Sequence, residues 1–268
     1  MAYDFDGSGD YISITKSTAA TDLSVYSYSF HAFVDSTATT NRCVFWMGGS
    51  WEFTFGNFVQ TNSGLGKMTM RAGFSTTPAL WSVTQTNGQW QNHVITYDQS
   101  SSTNDPLWYL DGTSTTVTEN VAPSGTSNAA QDLAAFKIGA GHDGSYEYFD
   151  GKIAELAIWN RILTAGEAAI LGKGFSPLFI PNGLVFYAPM IRSIPDMKSG
   201  NVGTATNAVV FPHPRIIYPF SPSNRRFTTA AAASGPANLK TWHGLAKASI
   251  KTMNGLAIAS VKTFDGLA

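Results

Sequence analysis

Charge and cysteine are what this 268-residue chain has least of. Only 13% of its residues are charged and the net charge is −1, so it offers no electrostatic footprint for nucleic acid or an anionic membrane surface. Surface helices usually carry Glu, Lys and Arg, so the same scarcity argues against a helical protein. The single cysteine, Cys43, excludes an intrachain disulfide and any Cys-based metal cluster. Its setting, Cys43-Val44-Phe45-Trp46, is an apolar strand, which suits a buried small hydrophobe better than a reactive thiol. No apolar run approaches the ~18 residues a membrane-spanning helix needs. Met1-Ala2-Tyr3-Asp4-Phe5-Asp6 has neither the basic start nor the apolar stretch of a secretory signal. Synthesis and assembly in a reducing cytoplasm are therefore expected.

What the chain has is Gly, Ser, Thr and aromatic residues, arranged as short strands and turns. Tyr26, Tyr28, Phe30 and Ala32 alternate with Ser27, Ser29 and His31, which gives a strand one apolar and one polar face. Similar runs are Tyr11 to Ile14, Val44 to Met47, Phe53 to Phe55, Lys67 to Arg71, Trp90 to Tyr97, Trp108 to Leu110, Phe136 to Ile138 and Ile153 to Trp159. Turn signals punctuate them: Asp6-Gly7, Asn87-Gly88, Asp111-Gly112 and Asp150-Gly151. This pattern predicts an all-β, two-sheet antiparallel sandwich over residues 1–175. One short helix is expected from Leu163 to Leu171, with Thr164 and Glu167 as a capping box and Gly172 or Gly174 as its stop.

Residues 176–235 form a Pro-rich extension and linker, although Leu184 to Tyr187 and Arg215 to Tyr218 are apolar enough to lie against the sandwich. Residues 236–268 repeat with an 11-residue period. Lys240-Thr241-Trp242-His243-Gly244-Leu245-Ala246 recurs from Lys251 and again from Lys262. A two-residue turn at Asn254-Gly255 would set Met253 opposite Leu256 and Ile250 opposite Ala259. One face would then be small and apolar, including Ile250, Ala259 and Val261, with Leu256 and Phe264 near the turns. The last Asp265-Gly266 turn leads to no full strand, which favours a repeat completed by neighbouring copies. An isolated hairpin is marginal in water, so oligomerisation or attachment is the expected role, with a homotrimer favoured over a tail docked on its own domain.

Several segments, in order, resemble the laminin G-like, concanavalin A-like jelly-roll superfamily. They are Tyr3 to Ile12, Trp90 to Val94, Trp108 to Gly112, Lys137 to Gly139 and Phe149 to Thr164. The segments Leu184 to Gly203 and His213 to Pro219, with the C-terminal repeat, look like sequences that follow such domains in tailed-bacteriophage virion proteins. The resemblance implies a lectin-like domain whose loops are candidate ligand sites, with glycans, other proteins or calcium as ligands, or else a spacer. It makes a non-enzymatic virion structural protein the leading expectation, with other virion proteins as partners. A module that adheres to host surface glycans is the alternative.

The chemistry is weighed residue by residue. Retaining glycosidases need two carboxyl groups about 5 Å apart. The five glutamates include no Glu-x-Asp-x-x-Glu arrangement, and Glu147 and Asp150 would face opposite sides of a strand. No Gly-x-Ser-x-Gly elbow is present, and the five histidines lack metal-ligand spacing. His93, in a strand after Trp90, reads as structural. Asp4, Asp6, Asp10, Asp143 and Asp150 lie near turns and could supply calcium oxygens, but Asp-Gly turns form for backbone reasons alone. No cofactor is expected. For glycan contact the candidates are Trp46, Trp51, Trp81, His142, Tyr146 and Tyr148, chiefly in the loops Gly48 to Glu52 and Gly141 to Tyr146. Aromatics in a sandwich are more often core.

Overall fold

The computed structural model describes residues 2–15, 18–35, 41–47, 58–62, 66–128, 136–141, 144, 146–191, 194–212 and 215–219, plus the pairs 241–242, 245–246, 252–253 and 256–257. Two units divide the chain, Met1–Pro219 and Phe220–Ala268. In the first unit the described strands are, in chain order, β1 (Ala2–Asp6), β2 (Tyr11–Ser13), β3 (Val25–Val34), β4 (Arg42–Trp46), β5 (Phe58–Asn62) and β6 (Lys67–Ala72). There follow β7 (Ala79–Thr84), β8 (Trp90–Asp98), β9 (Leu107–Leu110), β10 (Thr113–Thr115), β11 (Thr118–Val121), β12 (Lys137–Ile138) and β13 (Asp150–Trp159). After the helix α1 (Ala165–Gly172) come β14 (Leu184–Ala188), β15 (Ile194–Pro195), β16 (Val202–Thr206) and β17 (Val209–Phe211).

They form two antiparallel sheets. The eight-stranded sheet runs β10-β9-β8-β3-β13-β1-β17, with β14 also paired to β13, and the nine-stranded sheet runs β11-β7-β6-β5-β4-β12-β2-β16-β15. The long β13 pairs with β1 through its first half and with β14 through its second. This is the sandwich that the strand pattern predicts. The Pro-rich stretch contributes to it, because its described prolines fall between strands or at their ends and leave β14 to β17 free to pair.

The core lies between the sheets and is largely aromatic. Tyr26, Tyr28 and Phe30 of β3 face Phe45 and Trp81 from the other sheet, as the alternation of β3 requires. Edge-to-face pairs such as Tyr28–Phe45 at 5.2 Å and Trp81–Tyr97 at 4.9 Å let large rings fill the space. His93 belongs to this interior. It stacks on Phe30 at 5.0 Å, and its Nδ1 accepts the Trp108 indole N–H at 3.2 Å. Burial, with a smaller contribution from His31, lowers its pKa to about 3, so the ring is neutral.

Two glycines set close approaches. Gly172 ends α1 against the β9–β10 hairpin, where a Cβ would sit 2.2 Å from the Gly112 nitrogen. The hairpin itself turns on Asp111 and Gly112, both with positive φ, as an Asp-Gly turn predicts. Asp150-Gly151 instead opens β13 and is no turn: Gly151 lies so close to β3 that a Cβ would meet the Phe33 carbonyl oxygen at 2.0 Å. Helix α1 carries the expected capping box between Thr164 and Glu167. Arg161 clamps Glu167 through both guanidinium Nη atoms, at 2.9 and 2.5 Å. Leu163, Ala168 and Leu171 then cover Val94, Tyr109 and Trp159 on the outside of the eight-stranded sheet.

In the second unit, Thr241–Trp242 pairs with Leu245–Ala246, and Thr252–Met253 with Leu256–Ala257. Met253 stands opposite Leu256, the register a two-residue connection at Asn254-Gly255 requires. Ile250, Ala259, Val261 and Phe264 lie outside the described residues.

Candidate functional site

The outer face of the nine-stranded sheet follows from strand alternation. Ile12, Val59, Met68, Met70, Ala79, Trp81, Val83 and Ile138 turn inward, so their neighbours turn outward. Register then aligns Gln60 with Thr69, Thr69 with Ser82 and Ser82 with Thr118, one polar residue per strand about 4.8 Å apart. A second row aligns Thr204, Ser13, Lys137 and Trp46. Arg71 stands beside the Gln60 row, two residues from Thr69.

Glu147, between β12 and β13, lies beside β4 of this sheet. The Cys43 N–H donates to the Glu147 carbonyl at 2.7 Å, and the Gly141 N–H donates to the Tyr146 carbonyl at 2.9 Å. The Tyr148 hydroxyl donates to the Gly144 carbonyl at 2.8 Å. Arg42 donates through Nη1 to the carbonyls of Gly7 and Tyr148, at 2.9 and 3.0 Å. Glu147 has a φ of 53°, a left-handed conformation that turns its side chain back onto the sheet. There its carboxylate accepts a hydrogen bond from the Gln60 amide. Burial pushes the Glu147 pKa up, opposed by that bond and by the Arg71 charge. Nearby, the Lys137 ammonium donates to Ser13 Oγ at 2.9 Å and lies 5.1 Å above the Tyr11 ring.

The aromatic candidates separate. Tyr146 and Tyr148, flanking Glu147, are half-buried. Trp46 is on the outer face but buried with Cys43, whose thiol pKa burial raises. Trp81 is an interior residue, its indole N–H donating to Asp105 Oδ1 at 3.2 Å, so no ligand can stack on its ring. Trp51 and His142 lie outside the described residues.

Asp6 stands opposite Asp150 and beside Asp10, but Glu147 and Asp150 separate. Glu147 goes to the nine-stranded sheet, while Asp150 begins β13 in the other. Asp10 accepts the Asp6 N–H at 2.9 Å, Asp6 accepts the Ser8 N–H at 2.8 Å, and Asp4 is 3.7 Å from Lys152. Among the described residues no three His, Cys, Asp or Glu side chains converge as a metal site would require. Asp143 lies outside them.

One carboxylate escaped the sequence reading. Glu155 sits in a bulge of β13, with a φ of 58° and 1% exposure. Its oxygens accept the phenols of Tyr187 at 2.6 Å and Tyr218 at 2.7 Å. Burial still raises its pKa, with the two phenol bonds opposing. The available signal was an acid inside an apolar strand, Ile153 to Trp159.

Residues 6–169 match the model of the Laminin_G_3 family, described as the concanavalin A-like lectin/glucanases superfamily. The chain belongs to that superfamily. No curated protein matches it. Among solved structures, a candidate carbohydrate-binding protein from Bacteroides ovatus is 19% identical, with a TM-score of 0.56. That match covers 78% of this chain and 58% of the other protein. A heptameric SAP-like pentraxin from Limulus polyphemus (14% identity, TM-score 0.48) covers 76% of this chain and 93% of its own. The CBM40 of a Ruminococcus gnavus sialidase, bound to alpha2,3 sialyllactose, has 8% identity and a TM-score of 0.48, covering 64% and 98%. The family match and the first of these likenesses show the concanavalin A-like fold.

Proposed function

We propose that this protein is a non-enzymatic lectin-like module that binds glycans on the outer face of its nine-stranded sheet. The observation that carries the reading is the row Gln60–Thr69–Ser82–Thr118, closed at one end by Glu147; Thr69, Thr118 and Glu147 keep exposed surface, while Gln60 and Ser82 are buried and position them. Sugars present hydroxyls, and a fixed set of hydroxyl and carboxylate groups can exchange hydrogen bonds with them. Tyr146 and Tyr148 flank Glu147 at the same end and supply apolar surface for a sugar ring. The likeness to a candidate carbohydrate-binding protein supports the same class of ligand. A glycan array probed with the full chain, with and without calcium, tests this: hits are expected, and an empty array in both conditions overturns it.

The C-terminal hairpins favour a second component, a structural role in a bacteriophage virion. Two copies of the 11-residue repeat form paired strands of matching register. Such small hairpins need further partners for stability. In this reading they join copies of the chain to one another, as a trimer, and to other virion proteins, and the sandwich is displayed outward. Deleting residues 237–268 and measuring mass by light scattering checks it. Loss of the oligomer is expected, and an unchanged mass contradicts it.

A further inference from the structure

The strands of the two sheets carry charge of opposite sign. Those of the eight-stranded sheet contain Asp4, Asp6, Asp98, Asp150 and Glu155 against one lysine, Lys152, which is itself paired with Asp4 and Asp35. Those of the nine-stranded sheet contain Arg42, Lys67, Arg71 and Lys137 against Glu119. Glu119 stands opposite Trp81, a core residue, so alternation puts it on the inward side of its edge strand. Lys67 and Arg71 instead alternate with the buried Met68, Met70 and Ala72, which places both on the outer face. Lys137 shares a cross-strand row with Arg71 through Trp46 and Phe58, so three strand spacings set these two cations about 14 Å apart.

These bases are committed to different degrees. Arg42 is spent on the Gly7 and Tyr148 carbonyls, and Arg71 lies in the field of the Glu147 carboxylate. The Lys137 ammonium is held by Ser13 Oγ and the Tyr11 ring, and Ser13 takes one of its three N–H groups. Among the described residues neither Lys67 nor Lys137 joins an ion pair; the pairs there belong to Lys152 and Arg161. Half-buried cations without a counter-charge on a polar face attract anionic groups and reject cationic ones. We propose that the ligand of the nine-stranded sheet is an acidic oligosaccharide, whose anionic substituents are selected by Lys137 and Lys67. The inference rests on the glycan-binding reading above and adds the class of sugar. A ligand that meets Lys137 and Thr69 together spans β12 to β6, so it is an oligosaccharide rather than a single sugar. Carboxylates and sulfate esters supply the same negative charge, and both can accept the remaining lysine N–H groups.

Two matched pairs of polymers, bound to the full chain in biolayer interferometry at low and high salt, test the selection: polygalacturonate against its methyl ester, and dextran sulfate against dextran. The acidic member of at least one pair should bind roughly tenfold tighter than its neutral partner, and the difference should shrink at high salt. The pair that responds tells carboxylate from sulfate. Lys137→Gln and Lys67→Gln should each weaken that binding about threefold or more with melting temperature unchanged. Lys173→Gln, which removes the same charge from the exposed end of α1, should leave it intact. Equal binding of acidic and neutral members overturns the charge selection and leaves glycan binding standing. So does an equal loss in Lys173→Gln, which would mean unspecific attraction. Binding of neither pair, with neutral hits on the glycan array, also overturns the selection alone, whereas an array without hits removes the glycan reading and this inference together.

Discussion

Gln60, in the middle of the nine-stranded sheet, donates its side-chain amide to the carboxylate of Glu147, which lies beside β4 of that sheet. The bond joins residues 87 positions apart and sets one end of the polar row. Replacing Gln60 with Ala leaves a half-buried carboxylate short of a donor. We expect a stability loss of about 1–3 kcal/mol in urea denaturation, as for hydrogen bonds to charged groups. Glycan affinity should fall at least tenfold with the fold intact.

Trp81 gives the opposite result. It is fully buried between the sheets, so Trp81→Ala should cost about 3–5 kcal/mol through the cavity it leaves. Any folded fraction should bind glycan with unchanged affinity. A stable Trp81→Ala variant that has lost only binding would place the ring in the site instead.

His93 predicts an acid limit to stability. Its folded pKa is about 3, below the unfolded 6.5, so the unfolded chain takes up a proton first as pH falls. The contribution of neutral His93 is fully present above pH 6.5 and is lost between about 6.5 and 3. Inside that window the slope approaches about 1.4 kcal/mol per pH unit. His93→Asn keeps an acceptor near the Trp108 indole and should remove that component from the pH profile of chemical denaturation. An unchanged profile would contradict the buried neutral ring.

The contact between Gly172 and Gly112 fixes the helix on the hairpin. Gly172→Ala places a methyl against the Gly112 backbone and should destabilise by about 1–3 kcal/mol, despite the better helix propensity of Ala. Calorimetry reads this directly. A neutral or stabilising outcome would show that α1 can shift outward without loss.

The sandwich was legible because burial imposes period-two patterns. Tyr26, Tyr28, Phe30 and Ala32 alternate with polar residues and are all buried between the sheets. The Thr164–Glu167 cap and the Met253–Leu256 pairing were equally local, each set by residues within a few positions. The site was harder. Trp81 and Trp46 look like ligand contacts because aromatic residues serve cores and sugar sites alike; strand direction turns Trp81 inward, and burial with Cys43 covers Trp46 on the outer face. The Gln60–Thr69–Ser82–Thr118 row depends on the register of four strands, which no single segment encodes. Glu155 needed both its bulge and the return of Tyr218 from 63 residues away.

The central claim is that ligand meets the outer face of the nine-stranded sheet. Its most direct test is an NMR titration of the full chain with a glycan selected from the array, following backbone amides. The account predicts saturable shifts centred on Gln60, Thr69, Ser82 and Glu147, abolished in Gln60→Ala. Shifts confined to the eight-stranded sheet, or to the C-terminal repeats, would contradict it.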